Sequence, residues 1–280
     1  MFHSELLTIF PNSQHQALEN SRKEAIALSL ENNGELGLLI SKVGGFGYFP
    51  KDETYPVNSD GQPLRLLAQL NFSELPPLKD YPTKGLLAFY IDEFDGLLGC
   101  DFENPLNRVG YKVLYFPECD EELAYSKGEL EDLFRRFSEI ERYPVVNEEY
   151  QLIGTLENQY VTGDSVEFEA TYKSEFYNFF EKAYPDPDEA ESKMEELFDI
   201  DISSPNSIGG YPSFTQTDPR IRMPEFKDDQ LLFQLSITDY GNDVQVIWGD
   251  SGIGNFFIHP TDLVNQDFSK LGTIGIAIKR

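Results

Sequence analysis

Gly249-Asp250-Ser251-Gly252 has the residue types of a protease nucleophile turn: a serine between glycine and acid. Acyl transfer by serine needs a histidine base held in place by a carboxylate. The histidines are His3, His15 and His259, and none lies in such a local context. The tetrapeptide also aligns with Pro82-Thr83-Lys84-Gly85, a plain turn ahead of a similar apolar run. Asp-Ser-Gly suits a tight turn, because aspartate bonds nearby backbone and glycine accepts positive φ. The segment is therefore read as a turn. Asp92-Glu93-Phe94-Asp95-Gly96 has the acid density of a calcium loop, but phenylalanine stands where the third-position oxygen ligand belongs. It too reads as a solvated turn. No His/Cys/Asp cluster has zinc spacing, and Cys100 and Cys119 are expected as reduced thiols. The Gly-Gly pairs at 44–45 and 209–210 lack the following Lys-Ser/Thr or GxGxxG pattern of phosphate loops, so no cofactor is expected.

Five residues remain as candidate binding groups. Gln69 and Gln234 are the polar residues inside two matching apolar runs, Leu66–Leu70 and Leu231–Leu235. Buried amides need partners, so they either bond the backbone or each other, or contact a ligand near an axis relating the two runs. Arg220 lies in a loop at Thr217-Asp218-Pro219-Arg220, and Asp250 lies beside Trp248, the sole tryptophan. Arg220 and Asp250 read as an ion pair that pins loops, or as a polar site.

The elements that must position these groups occur twice. Val43-Gly44-Gly45-Phe46 recurs as Ile208-Gly209-Gly210-Tyr211, and the Leu66 run recurs as the Leu231 run. Gly85–Ile91 recurs, more loosely, as Gly252–Ile258. Blocks repeated in order imply one supersecondary unit used twice. The units are expected at about 36–117 and 204–279, with an acidic helical insert at 118–203, all in a single domain. Strands are predicted at Leu36–Val43, Leu64–Phe72, Gly85–Ile91, Tyr111–Phe116, Ser165–Ala170, Leu231–Ile237, Val244–Trp248, Gly252–Ile258 and Thr273–Ile278. Helices are predicted over 13–33, Ser126–Glu141 with Ser126 and Glu129 as its cap, Lys173–Tyr184 and Asp188–Phe198. The fold class is α+β: largely antiparallel sheets from an internally duplicated β-rich unit, with helices before and between the copies.

The Gly-Gly turns, with Leu66–Pro76 after the first and Trp248–Ile258 after the second, resemble the YwqG-like family, a bacterial domain of unknown function. The resemblance runs from about Ser41 to Phe268 and is weak across the insert. It implies a cytoplasmic bacterial protein with a duplicated α+β fold, and it implies no catalytic residue. The chain departs from the family pattern at Gly47, where proline is usual; its counterpart Pro212 keeps it. The tail Gly275–Arg280 also lacks an aromatic-cysteine ending.

The net charge of −27 repels phosphate backbones and anionic lipid, which excludes nucleic acid and membrane surfaces as natural partners. Residues 117–200 alone hold 24 acids against 7 bases. That stretch reads as solvated helix faces, or as a docking surface for a basic protein partner. No apolar run is long enough for a membrane helix and no signal peptide is visible, so a cytoplasmic location is expected. Lacking a nucleophile–base pair, metal cluster or cofactor loop, the chain is expected to be a non-catalytic binding or protein-interaction module. The alternatives are an immunity-type inhibitor of a basic toxin, and a hydrolase using carboxylates and Arg220 in a cleft between the units.

Overall fold

Strand β4 (Leu86–Ile91) is buried at every position. Leu87, Phe89 and Ile91 face one core, while Leu86, Ala88 and Tyr90 face another. A strand covered on both faces reads as an unbroken apolar run, as this one does. It belongs to a computed structural model that describes residues 2–100, 107–163, 165–198, 204–215, 217–223, 226–240, 243–249, 252–271 and 274–276. The other strands are β1 (Lys23–Glu31), β2 (Lys42–Val43), β3 (Arg65–Asn71), β5 (Tyr111–Phe116), β6 (Tyr150–Gln159), β7 (Ser207–Gly209), β8 (Gln230–Ser236), β9 (Thr238–Tyr240), β10 (Asp243–Val246), β11 (Ile253–Ile258) and β12 (Ile274–Ile276). The helices are α1 (Phe2–Ile9), α2 (His15–Asn20), α3 (Lys127–Arg135), α4 (Glu167–Tyr172), α5 (Phe176–Ala183), α6 (Pro187–Phe198) and α7 (Pro260–Val264). The architecture is α+β.

Ten strands form one sheet in the order β12-β11-β8-β7-β1-β6-β2-β3-β4-β5, and β9 and β10 make a separate ribbon. The neighbouring pairs are antiparallel. From the central β1–β6 pair the two wings run outward alike. The pairings Lys42↔Gln69 and Val43↔Ala68 in one wing stand where Ser207↔Gln234 and Ile208↔Phe233 stand in the other. The wings close on each other. Phe89 of β4 lies 4.8 Å from Phe233 and 4.7 Å from Phe256, ring centre to ring centre. The Tyr81 hydroxyl donates to the Leu231 carbonyl at 2.9 Å. Helices α1, α2, α4, α5 and α6 build a second core, with Phe10, Phe168, Tyr172, Phe179 and Phe180 in mutual ring contact. Among the described residues no helix is long and apolar enough to cross a membrane.

Several predicted elements differ. The helix expected over 13–33 stops at Asn20, and Lys23–Glu31 is instead the central strand β1. Ile26, Leu28 and Leu30 alternate there, and pairing with β6 and β7 on both sides outweighs local helix propensity. Of Leu36–Val43 only Lys42–Val43 is strand, because residues 36–41 carry backbone carbonyls that bond the Gln69 and Asn71 side chains instead. Ser165–Ala170 is not a strand. It enters α4, whose Phe168 and Tyr172 lie one helical turn apart and fill the second core. Strand β6, at the sheet centre, falls inside the stretch expected to be a helical insert. Its outer half alternates weakly in burial, and Gly154 interrupts its apolar pattern. The helix expected over Ser126–Glu141 ends at Arg135, where Phe137 turns out to pack on Phe94.

The cap of α3 forms as expected. Ser126 Oγ accepts from Glu129 N at 3.3 Å, and Glu129 Oε2 accepts from Ser126 N at 2.8 Å. A hydrogen bond from Lys51, then the Ser126 donors, hold the Glu129 carboxyl at about 2. Ser126→Ala is expected to cost about 1 kcal/mol, read as a lower midpoint in urea unfolding with an unchanged slope.

Candidate functional site

The turn at Gly44-Gly45 lets a distant segment lie directly on the sheet. A Cβ on Gly44 would overlap the Glu148 carbonyl oxygen, and one on Gly45 would come within 2.9 Å of Glu149 Cβ. With no side chains there, residues 146–149 settle over β2 and lead into β6. This brings Glu148 and Glu149 beside the loop at 32–35 and the first turn of α3. Together they form an open groove of about 590 Å³ lined by Asn32, Glu35, Lys127, Glu131, Glu148 and Glu149.

Glu149 organises the groove floor. Its carboxylate accepts from Lys42 Nζ at 3.2 Å, from Lys127 Nζ at 3.5 Å and from Leu36 N at 3.2 Å. Lys42 is fully buried and also donates to the Gly37 carbonyl at 3.0 Å. Burial pushes Glu149 upward, but the Leu36 N–H and the charges of Lys42 and Lys127 outweigh it and hold the carboxyl below its ordinary range. Burial lowers the Lys42 ammonium, against the pull of Glu149. At the rim, Lys127 meets Glu35 at 3.1 Å. The carboxylates of Glu131 and Glu148 are exposed beside this network and make no ion pair among the described residues. Chemically the groove offers an anionic wall over a floor whose charges are already balanced.

Four of the five residues singled out from the sequence lie elsewhere. Gln69 and Gln234 occupy corresponding strands. Gln69 Oε1 accepts from Tyr48 N at 3.0 Å and its Nε2 donates to Leu38 and Ile40 carbonyls. Gln234 Oε1 accepts from Ser213 N at 2.7 Å and its Nε2 donates to Ser204 and Pro205 carbonyls. Each amide thus ties a loop to its strand, and they do not bond each other. Trp248 is fully buried and donates to the Leu235 carbonyl at 2.8 Å. Asp250, with Ser251, lies outside the described residues.

Arg220 is the centre of a buried ion cluster. It meets Asp218 at 2.6 Å and Glu167 at 2.9 Å, donates to the Asp229 carbonyl at 2.7 Å, and stacks 4.9 Å from the Phe257 ring. Its donors are engaged, so it joins the α4 start to the loop at 218–229. Burial works to raise Glu167, yet the charges of Arg220 and Lys23 bring it below its ordinary range.

Other motifs resolve as local structure. Asp92 accepts from Asn58 at 2.8 Å and from Phe94 N at 2.9 Å, an aspartate-stabilised turn, but Asp92 and Glu93 are buried, so it is not the solvated turn expected. His259 accepts from Thr261 N as the cap of α7, and a His15 ring nitrogen lies 2.8 Å from the Phe10 carbonyl. Neither Cys100 nor Cys119 is in a disulfide among the described residues, and burial raises the Cys119 thiol to about 11, which keeps it protonated at neutral pH.

Reading the sequence missed Glu35, Lys127, Glu131, Glu148 and Glu149 as a group. The adjacent pair Glu148-Glu149 ahead of an apolar run, and a lysine at a capped helix start, were the available signals. No curated protein matches the chain. Residues 41–274, spanning both wings and the groove-forming segment, match the family model described as Domain of unknown function (DUF1963), and the chain belongs to that family.

Proposed function

We propose that the protein is a non-catalytic binding module whose acidic groove receives a basic side chain or segment of a protein partner. The observation that carries this reading is the set of exposed, unpaired carboxylates of Glu131 and Glu148 above a floor where Glu149 is already neutralised. A partner ammonium or guanidinium entering the groove gains charge-assisted hydrogen bonds without stripping Glu149 of its lysines. The overall charge of −27 adds long-range attraction for a basic partner and repulsion of nucleic acid. A basic toxin held by an immunity-type inhibitor is one such partner. The hydrolase reading asks for a carboxyl raised toward neutrality; in the groove Glu149 is shifted the other way, and the carboxyls that burial raises, Glu93 and Asp229, do not line it.

The matched wing order, the matched register at the Gly-Gly turns and the like bonding of Gln69 and Gln234 support reading the sheet as an internal duplication. They also fit the duplicated fold that the YwqG-like resemblance implies; the bacterial, cytoplasmic setting proposed with it rests on that resemblance alone.

The test is calorimetric titration of the full chain with an oligolysine peptide at low and physiological salt. The double variant Glu131→Lys/Glu148→Lys should weaken binding at least about tenfold, and salt should weaken the wild type. Glu191→Lys/Glu195→Lys, a charge reversal of the same size on exposed positions of α6, should change it little. Equal losses in both doubles would reduce the effect to net charge and remove the groove from the reading.

A further inference from the structure

Segment 144–149 lines a second cavity as well, of about 390 Å³, bounded by Arg65, Glu93, Ser138, Arg142, Val146 and Asn147. Arg65 opens β3 and is its one charged residue. Its guanidinium lies 4.4 Å from the centre of the Phe46 ring and 5.0 Å from that of Phe134. Those rings fix the group by stacking but offer no acceptor to N–H donors in the guanidinium plane. Among the described residues no carbonyl or carboxylate accepts a hydrogen bond from it.

Glu93 follows β4 at the same end of the sheet and is 5% exposed. Its backbone carbonyl accepts from Tyr143 N at 2.7 Å, which anchors the loop carrying Arg142. Its carboxylate accepts no hydrogen bond among the described residues, and it makes no ion pair with Arg65 or Arg142, although both act on it electrostatically. Burial raises the Glu93 carboxyl above its ordinary range, against the pull of the two arginines.

A half-buried guanidinium and the carboxylate of a buried residue face one cavity without bonding each other, so their polar atoms are left to water or to a ligand that fills it. They do not pair with each other: the Phe46 and Phe134 rings hold Arg65, and the end of β4 holds Glu93. A bare anion would serve the arginines and leave Glu93 with added like charge. A bare cation would have the opposite fault. A ligand carrying both charges satisfies each wall.

We propose that this cavity binds a small amino-carboxylate, a free α-amino acid or close analogue. Its carboxylate would lie on Arg65 and Arg142 and its ammonium on Glu93. Arginine's planar fork suits a carboxylate in two-point contact. The volume lies at the small end of ligand pockets, as a single amino acid requires. This site shares no lining residue with the acidic groove and needs no macromolecular partner.

The experiment is calorimetric titration of the full chain with individual L-α-amino acids, with acetate and methylammonium as half-ligands. At least one amino acid should bind saturably, one per chain, and each half-ligand at least about tenfold more weakly. Glu93→Gln and Arg142→Ala should each weaken binding at least about tenfold, the loss expected for one charge-assisted contact. Arg142 is exposed, so its variant decides the matter if Glu93→Gln fails to fold by circular dichroism. Three results would overturn the proposal. They are no saturable binding up to about 10 mM, where millimolar affinities register, acetate binding as tightly as any amino acid, or affinity indifferent to both variants.

Discussion

Gly44→Val is expected to lose more than about 4 kcal/mol of stability, enough to leave much of the chain unfolded or insoluble. Two costs combine. Gly44 has φ +70°, a left-handed conformation that costs a residue with a Cβ about 1–2 kcal/mol and a β-branched one more. A Cβ there would also overlap the Glu148 carbonyl oxygen and approach Val146 Cγ1 to 2.8 Å, so segment 146–149 would have to lift off β2. Gly61 separates the costs. It has φ +75° with nothing within 4 Å of a built Cβ. Gly61→Val should therefore pay only the conformational cost, and urea unfolding of the two variants measures the difference. Equal losses would show that the packing of segment 146–149 over the turn contributes nothing. The same displacement would open the acidic groove, so any soluble Gly44→Val protein should also bind oligolysine more weakly.

Arg220→Met is expected to lose about 3–5 kcal/mol, the range for removing one partner of a buried charge pair. The Asp218 carboxylate is fully buried and would keep only the backbone donors of Arg220 and Val166. The Asp229 carbonyl would lose its donor as well. Methionine keeps much of the volume over Phe257, so the loss reports charge more than packing. Adding Asp218→Asn should recover part of it, with a coupling of about 0.5–3 kcal/mol, because the stranded charge is then gone. Glu167 gives a second readout. Its folded-state carboxyl is held below its ordinary range, so its contribution is present above the unfolded pKa and lost as pH falls through the lower folded value. In Arg220→Met that acid-side loss should shrink, seen as a flatter dependence of thermal midpoint on pH below about 4. A variant as stable as the wild type, with an unchanged acid limb, would remove Arg220 from the fold's support.

Much of the sheet was legible because its strands carry their own signals. The runs around Leu66, Leu86 and Leu231 are largely apolar and covered on both faces, and the run at Tyr111 alternates as an edge strand does. The cap at Ser126 and Glu129 was equally local: the residues that make it lie within one turn. The groove was not legible, since Glu35, Lys127 and Glu149 meet only after β2, β6 and α3 have assembled. Arg65 and Glu93 gave a faint signal, a charge at the head of a largely apolar run and an acid in a run with the acid density of a calcium loop. Neither residue type nor spacing says that two aromatic rings would hold the guanidinium away from the carboxylate.

By itself the sequence determined the outer strands of both wings, the paired glycine turns, the capped helix and the acidic field, because each rests on neighbours in the chain or on composition alone. Tertiary structure decided the centre of the sheet. Lys23–Glu31 is a strand because it is hydrogen-bonded to β6 and β7, which lie far along the chain and supply a ladder that no local pattern announces. The same long-range pairing draws segment 144–149 across the first glycine turn. Both cavities therefore exist only in the folded molecule, where that segment lines one with Glu148 and Glu149 and the other with Val146 and Asn147.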